Sequence, residues 1–252
     1  MDKNLVTRDG FDTQGDGDAR FGMLETIREY ALEQLEISGE ADQVRAWHAT
    51  YYLGLAESVA AHFGDNINQG AWLDRLAREH DNMRAALEWA TGREQKETAL
   101  RLVAALANFW LLRGHLSEGR RWFDTVLAKS DEQPASLRAR AFHAAGQLAQ
   151  YQSDFDRAEA FGNESLALYR LLDDRPVCVA ALQALARVAR MRGQHAASRA
   201  LYQESLAVSN EIGDRGGAAD RVSVFERGCA DRYLCPPLRR RNARSNAPCL
   251  PH

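Results

Sequence analysis

The 252-residue chain has no run of about 18 apolar residues, which excludes an apolar membrane-spanning helix as an expectation. Its first residues, MDKNLVTRDGFDTQGDGD, lack the apolar core of a signal peptide, so a cytoplasmic location is expected. Cysteine is scarce. Of the four, Cys178 stands alone in a helical pattern, and Cys229, Cys235 and Cys249 fall in the last 24 residues, which is no secreted disulfide framework. Proline is equally sparse, with four of six residues beyond position 235. Neither charge sign dominates, since the net is −3, so composition points to neither a nucleic-acid nor a membrane partner.

Catalytic and nucleotide-binding signatures are also missing. No G-x-x-x-x-G-K-[ST] loop occurs, and Gly is nowhere followed by Lys, so the backbone cradle for phosphates is absent from the sequence. H-E-x-x-H and G-x-S-x-G are absent as well. The seven histidines are dispersed, and His48 and His80 read as packing or capping residues. No catalytic, cofactor-binding or metal residue is therefore assigned, and the chain is expected not to be an enzyme.

What is present is helical periodicity. A short β-prone run at Leu5–Thr7 and another at Arg20–Met23 enclose the Gly/Asp-rich RDGFDTQGDGD, which reads as a hairpin with a long tip. Two strands bury no core, so residues 1–23 need cover from elsewhere. The tip has an EF-hand-like start in Asp12, Gln14, Asp16 and Gly17, but the position that needs a bidentate Glu is Met23, and a solvated turn is the simpler reading. From Leu24 the period becomes 3.6. Leu24, Ile27, Ala31, Leu32 and Leu35 share one face; Trp47, Tyr51, Leu55 and Val59 form the core stripe predicted for the next helix. Trp72, Leu73 and Leu76 precede a break at His80-Asp81-Asn82, with Asp81 or Asn82 as the expected N-cap, and Met83, Leu87 and Trp89 follow. Residues 24–97 thus form a helical linker region.

Residues 98–217 are repetitive. Segments 136–175 and 176–215 superpose without a gap: ESLALYRLLDDR returns as ESLAVSNEIGDR, Ala141 matches Ala181, Ala149 matches Ala189, and Ala160 matches Ala200. The turn residue Ser153 matches Gly193, and Gly114 lies 39 residues before Ser153, so 98–135 is a diverged third copy. Helices are predicted at 98–112, 116–128, 136–151, 155–172, 177–191 and 195–212, with Trp122, Val126 and Leu127 buried in the second. A fixed period of this size marks a helical solenoid, in which each helix pair buries its face only against its neighbours. The fold class is accordingly all-α, a TPR-like solenoid with an N-terminal hairpin. Small residues at the crossings and Tyr202 on a second helix resemble tetratricopeptide repeats; Ala158, Ser165 and Ser205 fit the small positions. The period of 40 residues is longer than the family's usual length of about 34, and Gly162 stands where Tyr202 would lead one to expect an aromatic.

The blocks MLETIREYALEQL, RAWHATYYLGLAE, WLDRLAREHDNMRAALEWA and FWLLRGHLSEGRRW, in that order, resemble the C-terminal part of bacterial STAND-class ATPases, including LuxR-type and SARP-type transcriptional regulators. The resemblance covers about residues 2–217 and implies that residues 1–23 are the end of a winged-helix domain leading into a helical sensor region. It does not carry ATP hydrolysis or DNA reading to this chain, whose sequence lacks the P-loop and a recognisable helix-turn-helix. A protein-interaction or signal-sensing scaffold is the implied role.

In such repeats the first helix of each pair lines the binding surface. Here that surface carries Arg101, Asn108, Arg140, His143, Gln147, Gln183, Arg187 and Arg190, a polar, cationic set suited to a carboxylate-bearing protein or peptide. The plain alternative is a solvated helix face. After about residue 218 the repeat stops: seven Arg, three acidic residues and Pro236-Pro237 give a segment of net charge +4 without helical period. Residues 218–252 are expected to be disordered, either as a basic arm for nucleic acid or an acidic partner, or as out-of-frame translation, which the abrupt break favours. Cys229, Cys235, Cys249 and His252 lack the close-paired spacing of structural zinc sites. Without a polar cap, 195–212 would expose an apolar face, and either fraying there or self-association through it is expected.

Overall fold

The computed structural model describes residues 6–9, 20–62 and 69–213, with side chains from residue 22 onward in those spans. The hairpin tip, its Asp cluster, and the 218–252 segment with its cysteines lie outside the described residues. The architecture is all-α and repeat-built, as the periodicity predicts.

Two compact units divide the chain. The first comprises residues 1–115 with 128–130; the second comprises 116–127 with the residues from 131 onward. In the first unit, β1 (Val6–Asp9) pairs antiparallel with β2 (Arg20–Met23), with Val6 opposite Met23 and Asp9 opposite Arg20. Helices α1 (Glu25–Ser38), α2 (Ala41–Ala61), α3 (Gln69–Arg78), α4 (His80–Gly92) and α5 (Lys96–Arg113) follow. The core of this unit sits where α2 packs on α4 and α5. Leu53, Ala56, Val59, Leu76, Met83, Leu87, Leu102, Leu106 and Phe109 are buried there. His80 packs edge-on against Phe109 with ring centroids 5.0 Å apart, and His48 lies 4.5 Å from Tyr52, so both histidines serve packing.

Three expectations for this unit change. No residue of α1 is buried: Ile27, Ala31 and Leu35 are half-covered, while Leu24 and Leu32 face solvent. On α2 the stripe is buried at Leu55 and Val59, but Trp47 is 65% and Tyr51 57% exposed, because the face turned to α4 at that level carries His48, Ala49 and Tyr52 instead. The α3–α4 break is a single residue, and Glu79 holds the N-cap position without a side-chain capping bond. Asn82 instead donates its amide to Glu79 Oε2 at 2.7 Å.

The second unit contains α6 (Leu116–Leu127), α7 (Ala135–Tyr151), α8 (Phe155–Leu171), α9 (Arg175–Met191) and α10 (His195–Glu211). Helices α7 and α8 form one hairpin, α9 and α10 the next, and α8 packs on α9 to stack them. Local sequence accounts for the boundaries. Pro134 precedes α7 and Pro176 sits in the first turn of α9, where a missing N–H costs nothing. The corners recur with the repeat: Gly114, Ser153 and Gly193 take left-handed φ of 80°, 60° and 77°. Asp173 and Gly213, 40 positions apart, do so at 53° and 74°. After Ser153, Asp173 and Gly193 the next N–H reaches back, Asp154 to Ala149 and Gln194 to Ala189 both at 2.9 Å and Asp174 to Tyr169 at 3.1 Å.

Ala139, Leu166, Tyr169, Cys178, Ala181, Leu182 and Leu185 form the stacking core, with Leu201 and Val208 packed against it. Burial pushes the Tyr169 hydroxyl up to about 12 and the Cys178 thiol upward, so neither ionises at neutral pH. Ser165 Oγ donates to the Ala139 carbonyl at 3.0 Å and Ser198 Oγ to Ala186 at 2.9 Å, which fastens the helices of each pair where small residues bring them close. Val126 and Leu127 are buried as predicted; Trp122 is only half-buried. Helix α10 itself fully buries only Ser198, Ser205 and Ser209.

Gly162 is explained by stacking. A Cβ there would lie 2.7 Å from Leu185 Cδ2 and 3.0 Å from Cγ, so α8 approaches α9 at a point where no side chain fits. Tyr202 occupies the equivalent place on α10 and is half-buried.

Candidate interaction face of the repeats

The eight polar residues predicted for the binding surface fall in both units. Arg101 and Asn108 are on α5 of the first. Arg101 is not a free fork: its Nε and Nη2 each donate to a Glu57 carboxylate oxygen at 2.8 Å, and Glu97 lies 3.6 Å away. The Glu57 hydrogen bond leads the effects that raise its pKa further. Replacing Arg101 by Met, which keeps the apolar stem, is expected to cost about 1 kcal/mol after solvent screening. That loss should shrink in high salt when followed by urea unfolding. Asn108 is half-buried on the same face of α5, two turns along.

The other six sit together in the second unit. The 40-residue register places His143 and Gln183 at equivalent positions, and likewise Gln147 and Arg187. Helices α7 and α9, which carry them, are in contact, and Gln150 Nε2 meets Met191 Sδ at 3.6 Å across them. His143, Gln147, Gln183 and Arg187 are half-buried, while Arg140 and Arg190 are exposed. Gln147 Nε2 lies 3.1 Å from His143 Nε2. Burial is the main influence lowering the His143 pKa, and the Arg187 charge adds to it. The Gln183 amide nitrogen is buried without a hydrogen-bond partner among the described residues.

Six of the other arginines of this unit behave differently, while Arg121 on α6 has no ion pair among the described residues. Arg157 pairs with Asp124 and Arg170 with Glu204. Arg120 reaches Asp154 at 3.0 Å, and Arg175 reaches Glu211 at 2.8 Å. Arg192 meets Glu159 at 2.6 Å and Asp156 at 2.9 Å. Arg138 pairs with Asp131 at 3.3 Å. For Arg140, Arg187 and Arg190 no carboxylate within ion-pair distance is found among the described residues. The sequence did carry a signal for this ladder. Arg157–Asp124 and Arg192–Glu159 share a separation of 33 residues, and Arg170–Glu204 and Arg120–Asp154 one of 34.

Stacked helical hairpins with recurring left-handed corners define a helical-repeat protein, and residues 137–211 match the tetratricopeptide repeat family. The chain is also 43% identical over 127 residues to a Mycobacterium bovis protein named "Putative HTH-type transcriptional regulator Mb0914c". The same figures hold for a Mycobacterium tuberculosis H37Rv protein named "Putative HTH-type transcriptional regulator Rv0890c". Each match takes in 50% of this chain but only 14% of the relative's length. Among solved structures, BtubC (BKLC) from P. vanneervenii is similar, with a TM-score of 0.46 and 16% identity over 84% of this chain and 99% of that one.

Proposed function

We propose that this chain is a protein-interaction and signal-sensing scaffold that works by binding rather than catalysis, in the cytoplasm, and that its α7–α9 face holds an acidic protein segment. The observation that carries this reading is the contrast among arginines. Those at the repeat corners are matched by carboxylates, whereas Arg140, Arg187 and Arg190 meet none among the described residues. Guanidinium forks held on a half-buried helix face suit carboxylates, which they bind in pairs of parallel hydrogen bonds. The tetratricopeptide match at 137–211 supports a protein partner. No helix among the described residues is long and apolar enough to cross a membrane.

The likeness to HTH-named proteins supports a wider assignment: the chain is the helical arm of a STAND-type, ATP-binding transcriptional regulator. ATP binding and DNA recognition would then belong to other parts of that regulator.

The test uses fluorescein-labelled octa-aspartate as the acidic probe. The double variant Arg187→Glu, Arg190→Glu is expected to weaken binding by about 100-fold, since each reversal replaces an attraction by a repulsion at close range. Binding by the wild-type chain should fall with salt. Undiminished binding by the double variant, or no binding by the wild-type chain, would overturn the reading. The Arg187→Gln, Arg190→Gln pair, with helicity followed by circular dichroism, separates loss of charge from loss of fold.

A further inference from the structure

The cationic face has a titratable group at its centre. His143 shares α7 with Gln147 and Arg140 and faces Arg187 across to α9. Of the ionisable groups on the flanking helices, Arg157, Glu159 and Arg170 on α8 pair with Asp124, Arg192 and Glu204, and Arg120 on α6 pairs with Asp154; Tyr169 on α8 senses Arg140, and Glu164 on α8, Arg121 on α6 and Arg190 on α9 have no ion pair among the described residues. Arg187 is thus the charge that acts on the imidazole, and it acts against protonation, as burial does. A ligand carboxylate would reverse both influences. It would cancel the Arg187 repulsion and supply a hydrogen-bond acceptor to the charged ring.

Resting on the reading above, we propose that a carboxylate binding on the α7–α9 face draws a proton onto His143 as it seats, so that this face holds acidic segments more tightly as pH falls.

The amide of Gln147 supplies the means. With Gln147 Nε2 donating, His143 Nε2 is an acceptor and the ring is neutral. Protonation turns Nε2 into a donor, so the Gln147 amide must rotate to offer its oxygen. The same rotation moves its NH2 to the opposite side, where it becomes a donor for the incoming carboxylate. The Gln183 amide nitrogen, at the position equivalent to His143 on α9, adds a donor that has no partner among the described residues.

The sign follows from linkage. In the free protein the His143 pKa is lowered, so the ring is neutral at pH 7. In the complex it is raised. Between the two values the complex carries one more proton than its parts, and affinity grows as pH drops, by up to about tenfold per pH unit.

Octa-aspartate is again the probe, because aspartate, with a pKa of about 3.9, stays ionised above pH 6. Two measurements are made between pH 6 and pH 8: the dissociation constant, and proton uptake from the buffer dependence of the calorimetric enthalpy. Expected are net uptake on binding and an affinity several-fold higher at pH 6 than at pH 8. His143→Gln, which places in α7 the residue that α9 already carries at Gln183, should bind more weakly than wild type at pH 6 and lose both the uptake and the slope. Binding that is independent of pH and takes up no proton overturns this inference and leaves the scaffold reading standing. So does a slope that survives in His143→Gln. Absence of binding at every pH overturns both.

Discussion

Tyrosine at position 162 will destabilise the second unit by about 3 kcal/mol, although tyrosine is the residue the chain itself uses 40 positions later at Tyr202. Gly162 faces Leu185, and even a methyl group would lie inside van der Waals contact with both Cγ and Cδ2. Leu185 is 4% exposed and packed among Leu166, Tyr169 and Leu182, so it has little room to yield. A ring at 162 can be housed only by parting α8 from α9, which are the helices that join one hairpin to the next. Glycine inside a helix costs about 1 kcal/mol relative to alanine, and here that cost accompanies a close approach that alanine would obstruct. Gly146 is the control. A Cβ there meets the Ala158 carbonyl at 3.4 Å and Phe161 Cβ at 3.5 Å, which is ordinary contact, and Ala186 holds the equivalent place on α9. Gly146→Ala should therefore stabilise by up to about 1 kcal/mol. Urea unfolding and amide exchange in α8 and α9 report both changes. Stability of Gly162→Tyr within about 0.5 kcal/mol of wild type would show that the helices do not meet there as described.

Phe123→Ala should cost about 4 kcal/mol, in the middle of the range for a deleted aromatic. Phe123 on α6 is 1% exposed and borders a small cavity with Leu148, Ala149 and Phe161. The cost of such a deletion depends on whether the surroundings can close over the void. Here Arg157 pairs with Asp124 and stacks over the Phe161 ring at 5.1 Å, while Arg120 pairs with Asp154. These ion pairs pin the rim of the cavity from both sides, so the helices relax little. If so, the loss from Phe123→Ala will be smaller when measured in an Asp124→Ala background, because the freed rim can collapse. Equal costs in the two backgrounds, or a cost below about 1.5 kcal/mol, would contradict the pinned-rim account.

The second unit was legible in the sequence almost to the residue, because each element is specified twice. Predicted helices at 136–151, 155–172, 177–191 and 195–212 differ from those observed by no more than two residues at any end. Ser153 was matched to Gly193 by repeat register alone, and both adopt the left-handed conformation. The first unit was less legible. Periodicity shows that Trp47 and Tyr51 lie on one stripe with Leu55 and Val59, but not that the neighbouring face with Ala49 and Leu53 is the one its partners cover. The site divides in the same way. Register brought His143, Gln147, Gln183 and Arg187 to one face, whereas the capture of Arg101 by Glu57, 44 residues away in the other direction, obeys no period. Nor did Gly162 follow from its own repeat. Its identity is set by Leu185 on the following helix, a contact that sequence spacing does not name.

The left-handed corners bear on how such a chain can change by recombination. Asp173 and Gly213 turn the backbone through the same conformation 40 residues apart. A segment copied from just after one corner to the next would therefore begin and finish with backbone geometry the chain already uses. Its first helix would meet the same kind of surface that α8 presents to α9. Crossing-over between two such corners would insert or remove a whole hairpin without shifting any side chain off its face, whereas an exchange only two residues out of step would turn an α-helical face through about 200°. The unit on which duplication can act without frustrating the fold is thus the span from corner to corner, and the near-identical phrases at Glu164 and Glu204 mark two copies of it.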